Sequence, residues 1–171
     1  MPRQSVELLL DPAAEAAVLA RWRALAEAGL PGQAGHPGAT NRPHVTLAEA
    51  ATVSPEAEQA LVDRCAGLPP LATRLLAPAT FGDDPDRPVT LVLPVEPTAG
   101  LLDLRADVVA LLGDQARVRP DGWAPHVTLA RRMPRSLLAD ALRVVAADAV
   151  PVRLGGVRRW DPVTRRAWVL E

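Results

Sequence analysis

The hexapeptide Pro-His-Val-Thr-Leu-Ala occurs twice, over residues 43–48 and again over residues 125–130. Six identical residues, at an offset near half of a 171-residue chain, mark an internal duplication, so the fold must be built from two related halves. The chain holds three histidines, and two of them, His44 and His126, occupy the same place in the repeat. Each half therefore offers one imidazole and one threonine hydroxyl.

Around the repeats, the patterning predicts alternating strands and helices. A strand is expected over 5–10. Asp11-Pro12 then supplies an N-cap and a first-turn proline for a helix to about Ala28. Val18, Trp22, Leu25 and Ala26 recur there at helical spacing, and Gly29 stops the helix. The Gly- and Pro-rich stretch 29–43 reads as a loop. A strand follows from His44 to about Ala50. Ser54-Pro55 caps a second helix to about Gly67, with Glu56 and Glu58 in its favourable first turn. Strands are expected over 71–80 and 88–95, joined by the acidic turn 82–86. A third helix opens at Thr98 or Gly100 and ends at Leu112, burying Leu101, Leu104, Val108 and Leu111 or Leu112. Residues 117–119 suit a short strand and 120–122 a turn. The second motif strand covers 123–132, and a fourth helix over 135–148 turns Leu138, Leu142 and Val145 inward. Strands over 150–160 and 165–170 close as a hairpin across 161–164. This order is α+β with segregated layers, and a helix follows the motif strand in both halves.

A chain of this length makes one ordinary domain or two small lobes sharing a core. No stretch approaches the ~20 apolar residues of a membrane span. Glu7, Asp11 and Pro12 interrupt the apolar N-terminal run too early for a signal peptide. Cys65 is the only cysteine, so it makes no internal disulfide, and its helical position suits buried packing. A reducing, cytoplasmic setting is the default. Nothing demands a dimer, because the duplication already supplies two half-sites within a monomer.

The net charge of −1 hides a division along the chain. Residues 1–116 carry eight arginines and fifteen acids (−7), whereas residues 117–171 carry eleven arginines and five acids (+6). A basic region around the second repeat would attract a phosphate-bearing ligand; a solvated basic face is the plainer alternative.

Alternation on a strand puts His44, Thr46 and Ala48 on one face and Val45 and Leu47 on the other, and likewise His126, Thr128 and Ala130 against Val127 and Leu129. The branched apolar residues would anchor in the core and leave imidazole and hydroxyl together. If the halves pair about a pseudo-twofold axis, both pairs meet in one cleft. Two histidines across a cleft suit phosphodiester chemistry, one accepting a proton while the other donates one. Threonine hydroxyls and nearby arginine would hold the phosphate. The scheme needs no metal and no cofactor. Strand alternation puts Glu49 behind His44, and arginine stands at that place in the second copy, so no ligand set converges. His36, between Gly35 and Pro37, lacks the threonine and reads as surface.

With two His-x-Thr motifs in one chain, the sequence resembles the 2H phosphoesterase superfamily, and within it the 2′-5′ RNA ligase-like proteins, or RNA 2′,3′-cyclic phosphodiesterases. The resemblance covers nearly the whole chain and is specific for the superfamily more than for any substrate. It implies a bilobal, pseudo-twofold duplicated fold over residues 1–171, two antiparallel β-sheets flanked by outer helices with a central cleft. It also implies opening of a 2′,3′-cyclic phosphate, on an RNA end or a small cyclic nucleotide, to a 2′-phosphate. By the resemblance His44 is the general acid and His126 the general base, an assignment the motif symmetry leaves reversible, with Thr46 and Thr128 on the phosphate. Family members often carry arginine where this chain has Arg131. Strand alternation selects Arg132 instead, unless a bulge turns Arg131 round. Trp123 stands where relatives have an aromatic residue and reads as core packing. With one phenylalanine and no tyrosine, the chain offers few platforms for stacking bases, which favours a small substrate. The alternatives are a 2′-5′ RNA ligase and a non-catalytic module that binds phosphate or RNA ends. No membrane and no obligate protein partner is implied.

Overall fold

The computed structural model describes residues 3–35, 38, 40–117 and 122–171. Its elements run β1 (Gln4–Leu10), α1 (Pro12–Glu27), β2 (His44–Ala50), α2 (Pro55–Cys65), β3 (Leu71–Leu75), β4 (Ala79–Phe81) and β5 (Val89–Pro94). They continue with α3 (Ala99–Leu112), β6 (His126–Met133), α4 (Leu138–Val145), β7 (Val150–Asp161) and β8 (Arg166–Val169). The architecture is α+β with two antiparallel sheets.

The larger sheet has the order β2-β1-β7-β3, with β8 also on β7; the smaller has the order β4-β5-β6. Each motif strand is thus a sheet edge, and the two edges approach one another. The duplication is visible in the pairing. β1 lies between β2 and β7 as β5 lies between β6 and β4, with Thr46 opposite Glu7 and Thr128 opposite Val92.

The helices start where side chains satisfy their first amides. Asp11 Oδ1 accepts from the Ala14 N–H at 2.9 Å, Ser54 Oγ from Ala57, and Thr98 Oγ1 from Leu101. Gly29, at φ 69°, ends α1 in the left-handed conformation that glycine takes without strain. Ala14, Val18, Trp22 and Leu25 form the buried stripe of α1. Ala26 is exposed instead, because one step past Leu25 rotates it off that stripe. α1 packs against α4 and β6, whereas α3 packs against α2 and β2. Each half therefore sends a helix to the motif strand of the other half.

Three segments depart from the pattern reading. Residues 71–80 are two strands, not one. After Leu75 the chain leaves the larger sheet, the Leu76 N–H donates to the Pro94 carbonyl (2.8 Å), and β4 joins β5 across the smaller sheet. A Leu75–Val95 bridge joins the two sheets there. The fourth helix is shorter than 135–148. It starts as a 3₁₀ turn over Arg135–Leu137 with no side-chain cap, and Ala146 turns to an extended ψ of 131°. Of the short strand expected over 117–119, Arg117 lies in no strand and its N–H donates to the Glu49 carbonyl at 2.7 Å, while residues 118–121 lie outside the described ones. The loop after α1 is partly packed: a 3₁₀ turn over Gln33–Gly35 buries Gln33, whose carbonyl accepts from Asn41 Nδ2 at 2.8 Å. His36 lies outside the described residues. Cys65 is buried as expected, and burial pushes its thiol up from the ordinary value.

Candidate active site

Both motif strands bury Val and Leu of the repeat and leave His and Thr half-buried. His44, Thr46, His126 and Thr128 all line one open cleft of about 930 Å³ between the sheets. Convergence of the two pairs, which the sequence offers only as a conditional, is what the fold provides.

The two copies share three local devices. First, His44 Nδ1 lies 2.7 Å from the Arg42 carbonyl and His126 Nδ1 2.8 Å from the Ala124 carbonyl, each two residues upstream. A carbonyl only accepts, so each Nδ1 carries a hydrogen and each Nε2 is left as the nitrogen able to exchange protons. Second, an edge strand leaves carbonyls without a strand partner, and here indoles fill that role. Trp123 Nε1 donates to the Thr46 carbonyl and Trp22 Nε1 to the Thr128 carbonyl, both at 3.0 Å. Trp123 is thus a packed brace, as the sequence suggests, and also a wall of the cleft, with the Arg105 guanidinium 5.2 Å from its ring centroid. Third, the same leucine is bulged in both copies. Val6 and Glu7 face Ala48 and Thr46, skipping Leu47; Leu91 and Val92 face Ala130 and Thr128, skipping Leu129.

That bulge changes which face each later residue occupies. Strict alternation puts Glu49 and Arg131 behind the motif, but both line the cleft. β6 has a further irregularity: Arg131 and Arg132 together face the single Thr90, and Arg132 takes a left-handed φ of 55°. Both arginines are therefore exposed on the cleft side, and the choice between them dissolves. Glu49 approaches Arg117 at 3.6 Å. Among the described residues no three His, Cys, Asp or Glu side chains converge in a metal-binding group.

Several residues around the two histidines carry no motif signature. Glu7 and Arg158 form a buried ion pair on β1 and β7 (2.7 Å), with Glu7 Oε1 3.5 Å from His44 Nε2. Glu15 and Arg42 pair at 2.7 Å beside them, and hydrogen bonding from Arg42 lowers the Glu15 carboxyl below its ordinary value. Phe81, the only phenylalanine, stands edge-on to His126 with ring centroids 4.8 Å apart. A glutamate in the midst of an apolar strand run was the one visible signal for Glu7; nothing local marks Arg158 or Phe81, which the sheet pairing delivers.

A family model described as the 2′-5′ RNA ligase superfamily matches residues 10–167. TT0787 of Thermus thermophilus is similar in structure at a TM-score of 0.60 and 23% identity, over 99% of this chain and 95% of that one. The E. coli LigT complex with 3′-AMP gives 0.58 and 20%, over 98% and 93% of the two chains. Kluyveromyces marxianus Usb1 gives 0.51 and 13%, over 99% and 97%. No curated protein matches the sequence.

Proposed function

This chain belongs to the 2′-5′ RNA ligase superfamily of 2H phosphoesterases, and from that premise we propose that it opens 2′,3′-cyclic phosphates of RNA ends or nucleotides to 2′-phosphates, acting as one unit with one motif per half. The observation that carries the reading is the matched pair of imidazoles. Each has Nδ1 tied to a carbonyl, each leaves Nε2 for chemistry, and both line the same cleft with a threonine alongside.

In this mechanism the cyclic phosphate sits between Thr46 and Thr128, whose hydroxyls donate to its non-bridging oxygens. Arg131 and Arg132 neutralise the charge that grows on those oxygens in the transition state. His126 Nε2 takes a proton from water as the water oxygen bonds to phosphorus. The P–O3′ bond breaks, and His44 Nε2–H gives its proton to O3′. The products are a 2′-phosphomonoester and a 3′-hydroxyl, and solvent restores both rings. The scheme uses no metal.

E. coli LigT was crystallised with 3′-AMP and the yeast Usb1 with uridine monophosphate, which supports a ligand of nucleotide size. Phe81 beside His126 adds the flat surface that composition alone left in doubt. Purified protein should hydrolyse a 2′,3′-cyclic nucleotide in EDTA with a bell-shaped pH dependence of kcat/KM. Undiminished turnover in either His44→Ala or His126→Ala rejects the mechanism. An assay with cyclic-phosphate and 5′-hydroxyl ends tests 2′-5′ joining by the same site. Tight binding of a cyclic end without turnover would instead favour the non-catalytic module.

A further inference from the structure

We propose that Glu7 is a positioning residue that keeps His44 as the proton donor and so breaks the symmetry of the two motif copies; the inference rests on the two-histidine reading above. Glu7 is 3% exposed, and its carboxylate is fully engaged. Oε1 accepts from Ser5 Oγ at 2.6 Å, Oε2 accepts from Arg158 Nε at 2.7 Å, and Oε1 lies 3.5 Å from His44 Nε2. His44 Nδ1 meets the Arg42 carbonyl at 2.7 Å.

The ring therefore has an acceptor at each nitrogen. A carbonyl and a carboxylate both accept, so only the imidazolium, with hydrogens on both nitrogens, satisfies the two sides. A neutral ring protonated on Nδ1 would set the Nε2 lone pair against a carboxylate oxygen. At 3.5 Å the contact is too long to bind the proton as a full hydrogen bond, which leaves it free to pass to a leaving oxygen.

Other charges face the same ring. Arg158 Nη2 is 3.4 Å from Nδ1; a guanidinium has no lone pair, and Nδ1 already donates to the carbonyl, so this contact opposes the positive ring from its non-reacting side. Arg158 also supplies the opposite charge beside the buried Glu7 carboxylate. The Arg42–Glu15 pair is neutral as a unit, and Arg131 reaches His44 from β6 across a small pocket. Of the carboxylates among these groups, Glu7 is the one that addresses Nε2.

The second copy shows that the fold does not require this carboxylate. Val92 faces Thr128 as Glu7 faces Thr46, and Ala79 pairs with Val92 as Arg158 pairs with Glu7. An apolar pair serves that register in one half, and an ion pair in the other.

The test compares wild type, Glu7→Asp, Glu7→Gln and the charge-balanced Glu7→Gln/Arg158→Met by the pH profile of kcat/KM and by imidazole ¹⁵N spectra. At the pH optimum of kcat/KM, wild-type His44 should carry hydrogens on both ring nitrogens. In Glu7→Gln, which leaves Arg158 unopposed beside the ring, the descending limb should move to lower pH while the ascending limb stays; the double variant, which also removes that cation, should move it less, and Glu7→Asp should retain most of the wild-type profile. A bare Nε2 on wild-type His44 overturns the proposal, whether or not the variants fold. So does a folded Glu7→Gln variant with an unmoved descending limb. Should the wild type fail to turn over cyclic phosphate, the function reading falls while the His44 spectra still decide the role of Glu7.

Discussion

The two motif strands carry the same six residues and the same local backbone, yet they sit in different chemical surroundings. In β2, His44 is hemmed by ion pairs: Glu7 with Arg158 behind it and Glu15 with Arg42 beside it, while Glu49 with Arg117 stands further along the strand. In β6, His126 stands against an aromatic edge, in a cleft that two exposed arginines also line. The shared parts, the carbonyl on Nδ1, the bulged leucine and the indole on the threonine carbonyl, fix where the reacting nitrogens point. The unshared parts decide what each does. A duplicated scaffold supplies geometry twice; the proposed mechanism asks for an acid and a base, and the two copies differ in charge.

The largest expected effect strikes both copies alike. Replacing His44 or His126 by alanine should lower kcat by about 10²- to 10⁴-fold, and a steady-state assay in EDTA measures it. Unequal losses would show how far the halves have diverged. Next come the threonines: Thr46→Ala and Thr128→Ala each remove a hydrogen bond to a charged oxygen and should cost about ten- to a hundredfold in kcat/KM. Arg132 separates the copies more finely, because the first copy has buried Ala50 at that place. Its left-handed backbone costs an arginine about 1–2 kcal/mol. Arg132→Gly should therefore raise the melting temperature while lowering kcat/KM, and a melt that falls would break that account.

The smallest effect lies in the brace that the first half extends to the second. Asp11 caps α1, and the hydrogen bond from the Ala14 amide, aided by those from Arg153 and Ala13, holds its carboxyl below the usual carboxylate range. A depressed folded-state value means that the contribution is present above the unfolded-state value near 3.8 and is lost as pH falls through the lower, folded one. Asp11→Ala should cost about 1 kcal/mol at neutral pH. In urea melts the gap from wild type should close on acidification below pH 4, and a gap that persists would point to lost packing instead.

The legibility of the molecule follows the range of the interactions. The caps at Asp11, Ser54 and Thr98, the buried stripe of α3 and both His-x-Thr pairs were readable because their signals are local. Strict alternation failed after Leu47 and Leu129, since a bulge depends on the partner strand and leaves no mark of its own in the repeat. The same limit hid the sheet change after Leu75. It hid Arg158 as well, which meets Glu7 and His44 only through the pairing of β7 with β1.

The crossed indoles give the protein a built-in optical gauge. Trp22 and Trp123 each grip the opposite motif strand by its backbone, so any widening between the sheets must stretch or break an indole N–H contact. Emission colour from these rings should thus follow the aperture of the cleft without any added label, and occupancy by a nucleotide becomes readable in a cuvette.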